Sequence, residues 1–341
     1  MLNTVYQLKS ARQFEAVFKN IELDDMHVLV RPTHLSICHA DQRYYQGTRP
    51  EAVLRAKLPM ALIHEGIGRV VYDPTGTFQV GDEVVMIPNH PSETDNVIAE
   101  NYLRSTKFCG SSKDGFMQEY VSLLPDRVVL LPEGLDKITA AFTEIVTVSY
   151  HAITRFLRFS HERRAAVGVW GDGNLGYITS LLLKKMLPET RVYVFGVNRS
   201  KLSDFSFADD TFLVSQVPEG LQVDHAFECV GSGAAAKAID QIIDCIHPEG
   251  TISLMGVSED PVPVNTRMVL EKGLRIFGSS RSGRADYEGL MELYKENPDI
   301  PSYLENIVGT RLKVSNIGDI VKAFETDIHK MIGKTVMIWN E

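Results

Sequence analysis

Short apolar runs, broken by glycine and proline, dominate the first part of the chain. HVLVRPTHLSI (27–37), GIGRVVYDPTGTFQVGDEVVMIP (66–88) and FMQEYVSLLPDRVVLLP (116–132) alternate as strands do. The turn residues between them predict an irregular β-rich unit up to about Val129. From about Thr139 the period lengthens. ITAAFTEIVTVSYHAITRFLRF (138–159) has helical spacing, and AAVGVWGDGNLGYITSLLLKKM (165–186) reads as strand, glycine turn and helix. RVYVFGV, VDHAFECVG, AAAKAIDQIIDCI, GTISLMGV and LRIFGSSR then alternate strand with helix, the pattern of a parallel sheet covered by helices. From about Arg284 helix and strand return and are expected to rejoin the first unit. The predicted fold is α/β, with a second domain inserted into the first.

A length of 341 residues suits two domains of ordinary size, large enough to bury cores without covalent staples. A hydrophobic content of 44% and a charged content of 23% fit a soluble globular chain. The formal charge of −9 argues against nucleic acid or an anionic membrane as partner, and a small anion would have to be drawn in by local arginines. Cys38, Cys109, Cys229 and Cys245 form no C-x-x-C pair, which suits a reducing cytoplasm rather than a disulfide framework. Neither a signal peptide nor a transmembrane segment is expected.

Two patterns carry chemistry. GVWGDGNLGYI places Gly171, Gly173 and Gly176 as G-x-G-x-x-G after an apolar strand and at the start of a helix, the context in which this motif binds a dinucleotide. An NAD site calls for an acid about twenty residues on, to bind the ribose hydroxyls. Gly196 stands there, leaving room for a 2′-phosphate, and Asn198, Arg199, Ser200 and Lys201 follow. NADP(H) is therefore the expected cofactor. The other pattern is ALIHEGIGRVV (61–71), where His64 and Glu65 stand side by side in an apolar strand-like run. Adjacent strand residues point to opposite faces, and an unpaired carboxylate is unwelcome in a core. With Cys38 upstream, Cys, His and Glu make three zinc-ligand types, the number a catalytic zinc takes from protein.

CHAD, HEGIG, VGDEVV, FMQEYV, TEIVTVSYHA and GDGNLG together resemble the zinc-dependent medium-chain dehydrogenase/reductase family along nearly the whole chain, and its polyol branch most. The resemblance implies a GroES-like catalytic domain (1–145), an inserted Rossmann NADP-binding domain (146–280) and a return to the catalytic domain (281–341). It implies one catalytic zinc on Cys38, His64 and Glu65, with Glu144 as a mobile fourth ligand or water holder. Tyr44 falls where the polyol branch carries an active-site tyrosine. The cofactor contacts expected are His39, Gly171, Gly173, Asn174, Leu175, Gly176, Asn198, Arg199 and Lys201. Two departures stand out. The family's four-cysteine structural-zinc lobe is reduced to Cys109, so no second zinc is expected, and the relay hydroxyl two residues after the cysteine ligand is Ala40. The subgroup most resembled is the ribitol-5-phosphate dehydrogenases of wall-polymer synthesis, which implies D-ribulose 5-phosphate as substrate, with Arg43, Arg49, Arg281 and Arg284 as candidates for its phosphate. A homodimer in the cytoplasm, associated with the cytidylyltransferase of the same pathway, is the corresponding expectation. An unphosphorylated polyol as substrate, or a redox-inactive NADPH-binding protein, are the alternatives.

Overall fold

The computed structural model describes residues 1–330 and 333–340. The chain divides into two compact units, Met1–Ile145 with Ser282–Glu341, and Val146–Arg281.

In the first unit, a hairpin of Leu2–Ser10 and Gln13–Asn20 pairs with the short strand Met60–Ala61. A larger sheet runs in the order Val128–Leu130, Glu83–Met86, Glu65–Tyr72, Val28–Ile37, Lys334–Trp339 and Val308–Val314, with Val121–Leu123 also on Val28–Ile37. Its central strand is buried at every position but Arg31, which is why HVLVRPTHLSI reads as a nearly continuous apolar run. The final strand docks antiparallel on it, Thr335 opposite Ile37, while Glu65 pairs with Ser36 on the other side. Two neighbouring strands thus begin beside the C-terminal end of the same central strand. The opening hairpin was not foreseen from its alternation, and FMQEYV forms no strand before Val121. The helical stretch 138–159 divides into Lys137–Ala140 and Thr143–Phe159.

The second unit is a parallel sheet in the order Asp210–Leu213, Arg191–Gly196, Ala166–Trp170, Val223–Glu228, Ile246–Leu254 and Arg275–Gly278. Numbered along this unit the order is 3-2-1-4-5-6, the doubly wound arrangement of dinucleotide-binding folds. The helix Ala235–Cys245 buries Ala238, Ile239, Ile242 and Ile243 along one stripe, each isoleucine contributing about 2 kcal/mol of apolar burial. The edge strand Asp210–Leu213 carries no buried residue, so its alternation was invisible in the sequence. Among the described residues no helix is long and apolar enough to cross a membrane.

Candidate metal centre and nucleotide site

Glu65 opens its strand, and His64 lies just before it in a backbone that Ile63 kinks with φ of +72°. A β-branched residue in the left-handed region is strained. The surroundings hold it there: the Ile63 N–H donates to Asp41 Oδ1 at 3.0 Å, and a side chain on Gly115 would meet the Ile63 carbonyl at 2.3 Å. The kink breaks strand alternation, so neighbouring His64 and Glu65 both reach one point. Cys38 meets them there from the N-cap of the helix His39–Tyr45. One donor atom from each of Cys38, His64 and Glu65 lies within 4.8 Å of the others.

Asp41 braces this cluster. Its Oδ2 accepts the Cys38 N–H at 3.0 Å, and its Oδ1 lies 3.7 Å from His64 Nδ1. That contact leaves Nε2 as the imidazole donor for a metal and supplies the carboxylate partner that ligating histidines generally have. Thiolate, imidazole and carboxylate are a zinc donor set of the right number for a catalytic site. The electrostatics agree. Burial disfavours an imidazolium at His64, yet Asp41 and Cys38 outweigh it and raise its pKa well above the ordinary value, so the cluster draws a cation inward. Residues and charge both fit zinc.

The buried carboxylate has a partner the sequence did not reveal. Lys334 Nζ lies 2.8 and 2.7 Å from the two oxygens of Glu65 and donates to the Ile37 carbonyl at 3.0 Å. Both side chains are buried, and 269 positions separate them. Zn²⁺, one thiolate and one carboxylate sum to zero; Lys334 offsets the further negative charge of Asp41, so the loaded site stays neutral and does not oppose developing negative charge on a substrate oxygen. The only trace in the sequence is a lysine leading a buried apolar strand in GKTVMIW (333–339).

Glu144 lies in the first turn of Thr143–Phe159, buried, and its oxygens fall outside the three-donor cluster. Its pKa is raised to about 7: burial and the charges of Glu65 and Asp41 push it up, against His64 and Lys334. Tyr44 is also buried, with the Arg49 guanidinium 4.8 Å and Lys57 Nζ 5.9 Å from its ring centroid. His39 is half-buried, and its pKa is lowered by burial and by Arg43, Lys330 and Arg49, with Asp327 acting the other way. Arg43, Arg49 and Lys330 therefore gather at this end of the helix His39–Tyr45, and Lys57 and Lys330 were not singled out beforehand. Arg284 is different. Its guanidinium is engaged by Glu288 at 2.8 Å and by the carbonyls of Pro125 and Val128 at 3.1 and 3.3 Å. Arg281 belongs to the other unit, at φ of +58°. Cys109 is a buried neutral thiol, raised to about 11 by burial, with its sulfur 3.3 Å from His90 Nε2.

In the second unit, Gly171 and Gly176 are required by close approach. A Cβ on Gly176 would lie 1.9 Å from the Gly171 carbonyl oxygen, and Gly171 adopts φ of +130°. Nothing lies within 4 Å of a Cβ on Gly173, which is the N-cap of the helix Asn174–Met186 and leaves its amides open to an anion. Beside the loop is a cavity of about 480 Å³, lined by Gly171, Asp172, Gly173, Gly196, Lys237 and Gln241 among others. Lys237 was not anticipated. Arg199 is exposed, with one guanidinium nitrogen 2.9 Å from Gln216 Oε1, and Asn198 caps the turn by accepting from the Ser200 and Lys201 N–H groups. The room expected at Gly196 is partly occupied: a Cβ there would lie 2.7 Å from Asp172 Cβ and 2.8 Å from its Oδ2.

Residues 24–133 match the family described as Alcohol dehydrogenase GroES-like domain, and residues 191–296 match Zinc-binding dehydrogenase. The chain is 52% identical to Ribulose-5-phosphate reductase of Bacillus spizizenii, covering 99% of both chains. It is 54% identical to Ribulose-5-phosphate reductase 2 of Staphylococcus aureus, again over 99% of each. Among solved structures, S. aureus TarJ in complex with NADPH superposes with a TM-score of 0.90 at 49% identity, covering 100% of both chains.

Proposed function

Because this chain belongs to the zinc-binding, medium-chain dehydrogenase family, we propose that it reduces the ketone of D-ribulose 5-phosphate to D-ribitol 5-phosphate with NADPH. The observation that carries this reading is more than half identity, end to end, to proteins named ribulose-5-phosphate reductases, in a chain that keeps the Cys38, His64 and Glu65 donors. We place the reaction in the cytoplasm, carried out by a homodimer that passes its product to a cytidylyltransferase.

Cys38, His64 and Glu65 would hold the zinc, and Gly171, Gly173 and Gly176 would admit the pyrophosphate of NADPH. When bound, zinc supplies Lewis-acid polarisation of a carbonyl and NADPH supplies the hydride. The remaining work belongs to the chain. Asp41 fixes the orientation of His64 and of the Cys38 backbone. Lys334 holds Glu65 and offsets the charge of Asp41, so the loaded site does not oppose an alkoxide. Glu144, buried in the first turn of its helix, is placed to hold a water or a proton, the service that Ala40 cannot provide. Tyr44, kept between Arg49 and Lys57, is the second candidate for delivering the proton. Arg43 and Arg49 receive the substrate phosphate, to which a guanidinium binds in bidentate, charge-assisted fashion.

The test is NADPH oxidation with D-ribulose 5-phosphate and with D-ribulose. The phosphorylated sugar should be favoured at least about a hundredfold in kcat/KM, which requires about 2.7 kcal/mol. Arg43→Ala should remove most of that preference and leave the slow reaction with plain ribulose, whereas Arg49→Ala should also slow plain ribulose if Tyr44 delivers the proton. Equal turnover of the two sugars would transfer the assignment to an unphosphorylated polyol, and no turnover with either would leave an NADPH-binding protein.

A further inference from the structure

The glycine loop carries an acid. Asp172 lies between Gly171 and Gly173, where a carboxylate is electrostatically adverse to a pyrophosphate. Its Oδ2 accepts two backbone N–H groups from the end of the second strand, Val197 at 2.8 Å and Asn198 at 2.7 Å. The carboxylate therefore ties the pyrophosphate loop to the turn that carries Arg199 and Lys201. It also lies within 2.8 Å of where a side chain at position 196 would begin. That is the position from which dinucleotide folds project the acid that accepts the adenosine ribose hydroxyls. Among the described residues Oδ1 has no hydrogen-bond partner, and Asp172 lines the cavity of about 480 Å³.

We propose that Asp172 is the ribose acceptor of this site, reaching from the glycine loop into the place that Gly196 leaves open. Oδ2 fixes the turn, and Oδ1 accepts from the adenosine ribose. With NADH both ribose hydroxyls are available as donors. With NADPH the 3′-hydroxyl remains, but the carboxylate faces a 2′-phosphate, and the repulsion offsets the contact. Asp172 thus limits the preference for NADPH that Arg199 and Lys201 create. The cofactor identity on which this rests is that of the proposed function. The geometry also revises what a side chain at Gly196 would do: an acid there collides with Asp172 instead of adding a free acceptor.

Dissociation constants of NADPH and NADH, measured by fluorescence titration on the full chain, test the proposal. Asp172→Asn keeps an oxygen for the two N–H groups and removes the charge, so melting without cofactor should fall by only a few degrees. NADH should weaken about tenfold, as expected for loss of a charge-assisted hydrogen bond, while NADPH changes less than about threefold. The NADPH-to-NADH preference should therefore rise by at least about threefold. An unchanged or reduced preference overturns the proposal and leaves Asp172 as a turn latch. A second arm needs no folded variant. NADH whose adenosine ribose lacks both hydroxyls should bind the native chain about tenfold more weakly than NADH, and equal binding overturns the contact. Arg199→Ala separates the underlying reading: if it leaves the preference of the native chain unchanged, the 2′-phosphate assignment fails while the Asp172 result still stands on NADH alone.

Discussion

Replacing Lys334 with methionine should loosen the protein and tighten its hold on zinc. In the native chain the ammonium lies 2.8 and 2.7 Å from the Glu65 oxygens, with both groups buried. At 2.8 Å and an effective dielectric of about 20, the attraction is about 6 kcal/mol. The loss is smaller, because an abandoned carboxylate can take up a proton. Breaking a buried pair by removing one member costs about 3–5 kcal/mol. That cost falls fully on the metal-free protein. In the zinc-loaded protein the metal partners Glu65, and the loss should be roughly halved. The same cycle states that zinc binds the variant more tightly, by about tenfold for each 1.4 kcal/mol of difference. Urea unfolding of the stripped and loaded proteins, with chelator competition for zinc affinity, measures both sides. Turnover should fall although zinc is retained, since without Lys334 the charge of Asp41 leaves the loaded site negative. Equal destabilisation of both forms together with weaker zinc binding would refute the coupling and make Lys334 a plain structural cation.

Cys38→Ser should remove the metal and the activity together, and elemental analysis of the native protein should return one zinc per chain; two would contradict the reading of Cys109 as a neutral buried thiol. Stability should also depend on pH through His225, fully buried, where the Thr251 N–H donates to Nδ1 at 3.1 Å and Nε2 faces the Arg163 carbonyl at 3.0 Å. Burial, with the nearby charge of His161, lowers this imidazole to about 4. The unfolded chain takes up the proton near pH 6.5. Its contribution is therefore present above about 6.5 and is lost as pH falls towards about 4, amounting to about 3 kcal/mol. His225→Gln should flatten the urea midpoint between pH 7.5 and 4.5 relative to the native chain, and parallel curves would refute the assignment.

The second unit was legible in the sequence because its signals are local. A buried parallel strand is a continuous apolar run, a glycine turn follows it, and the helix after that repeats its apolar residues at helical spacing. The exposed edge strand Asp210–Leu213 lacks any such contrast and went unseen. The first unit was harder for the converse reason. Its strands are short, and pairing distant segments (Val28–Ile37 with Lys334–Trp339) leaves no mark on either one alone.

The site follows the same division. Cys38, His64 and Glu65 could be named because ligand types are rare in apolar surroundings, where each asks for a partner. What could not be read was the partner itself. Lys334 is 269 residues away from Glu65, and its charge offsets that of Asp41, which a count of ligands alone leaves out. Asp172 shows the complementary case. It was in plain view within GDGNLG, yet its meaning lies in the turn it grips at Val197 and Asn198 and in the place beside Gly196 that it fills. An empty position in a motif describes the space only along the chain. Whether that space is free depends on which other segment the fold brings against it. The absence of an acid at 196 therefore argues for a 2′-phosphate only as far as Asp172 permits, and cofactor choice in this chain is shared between two loops rather than decided by one residue.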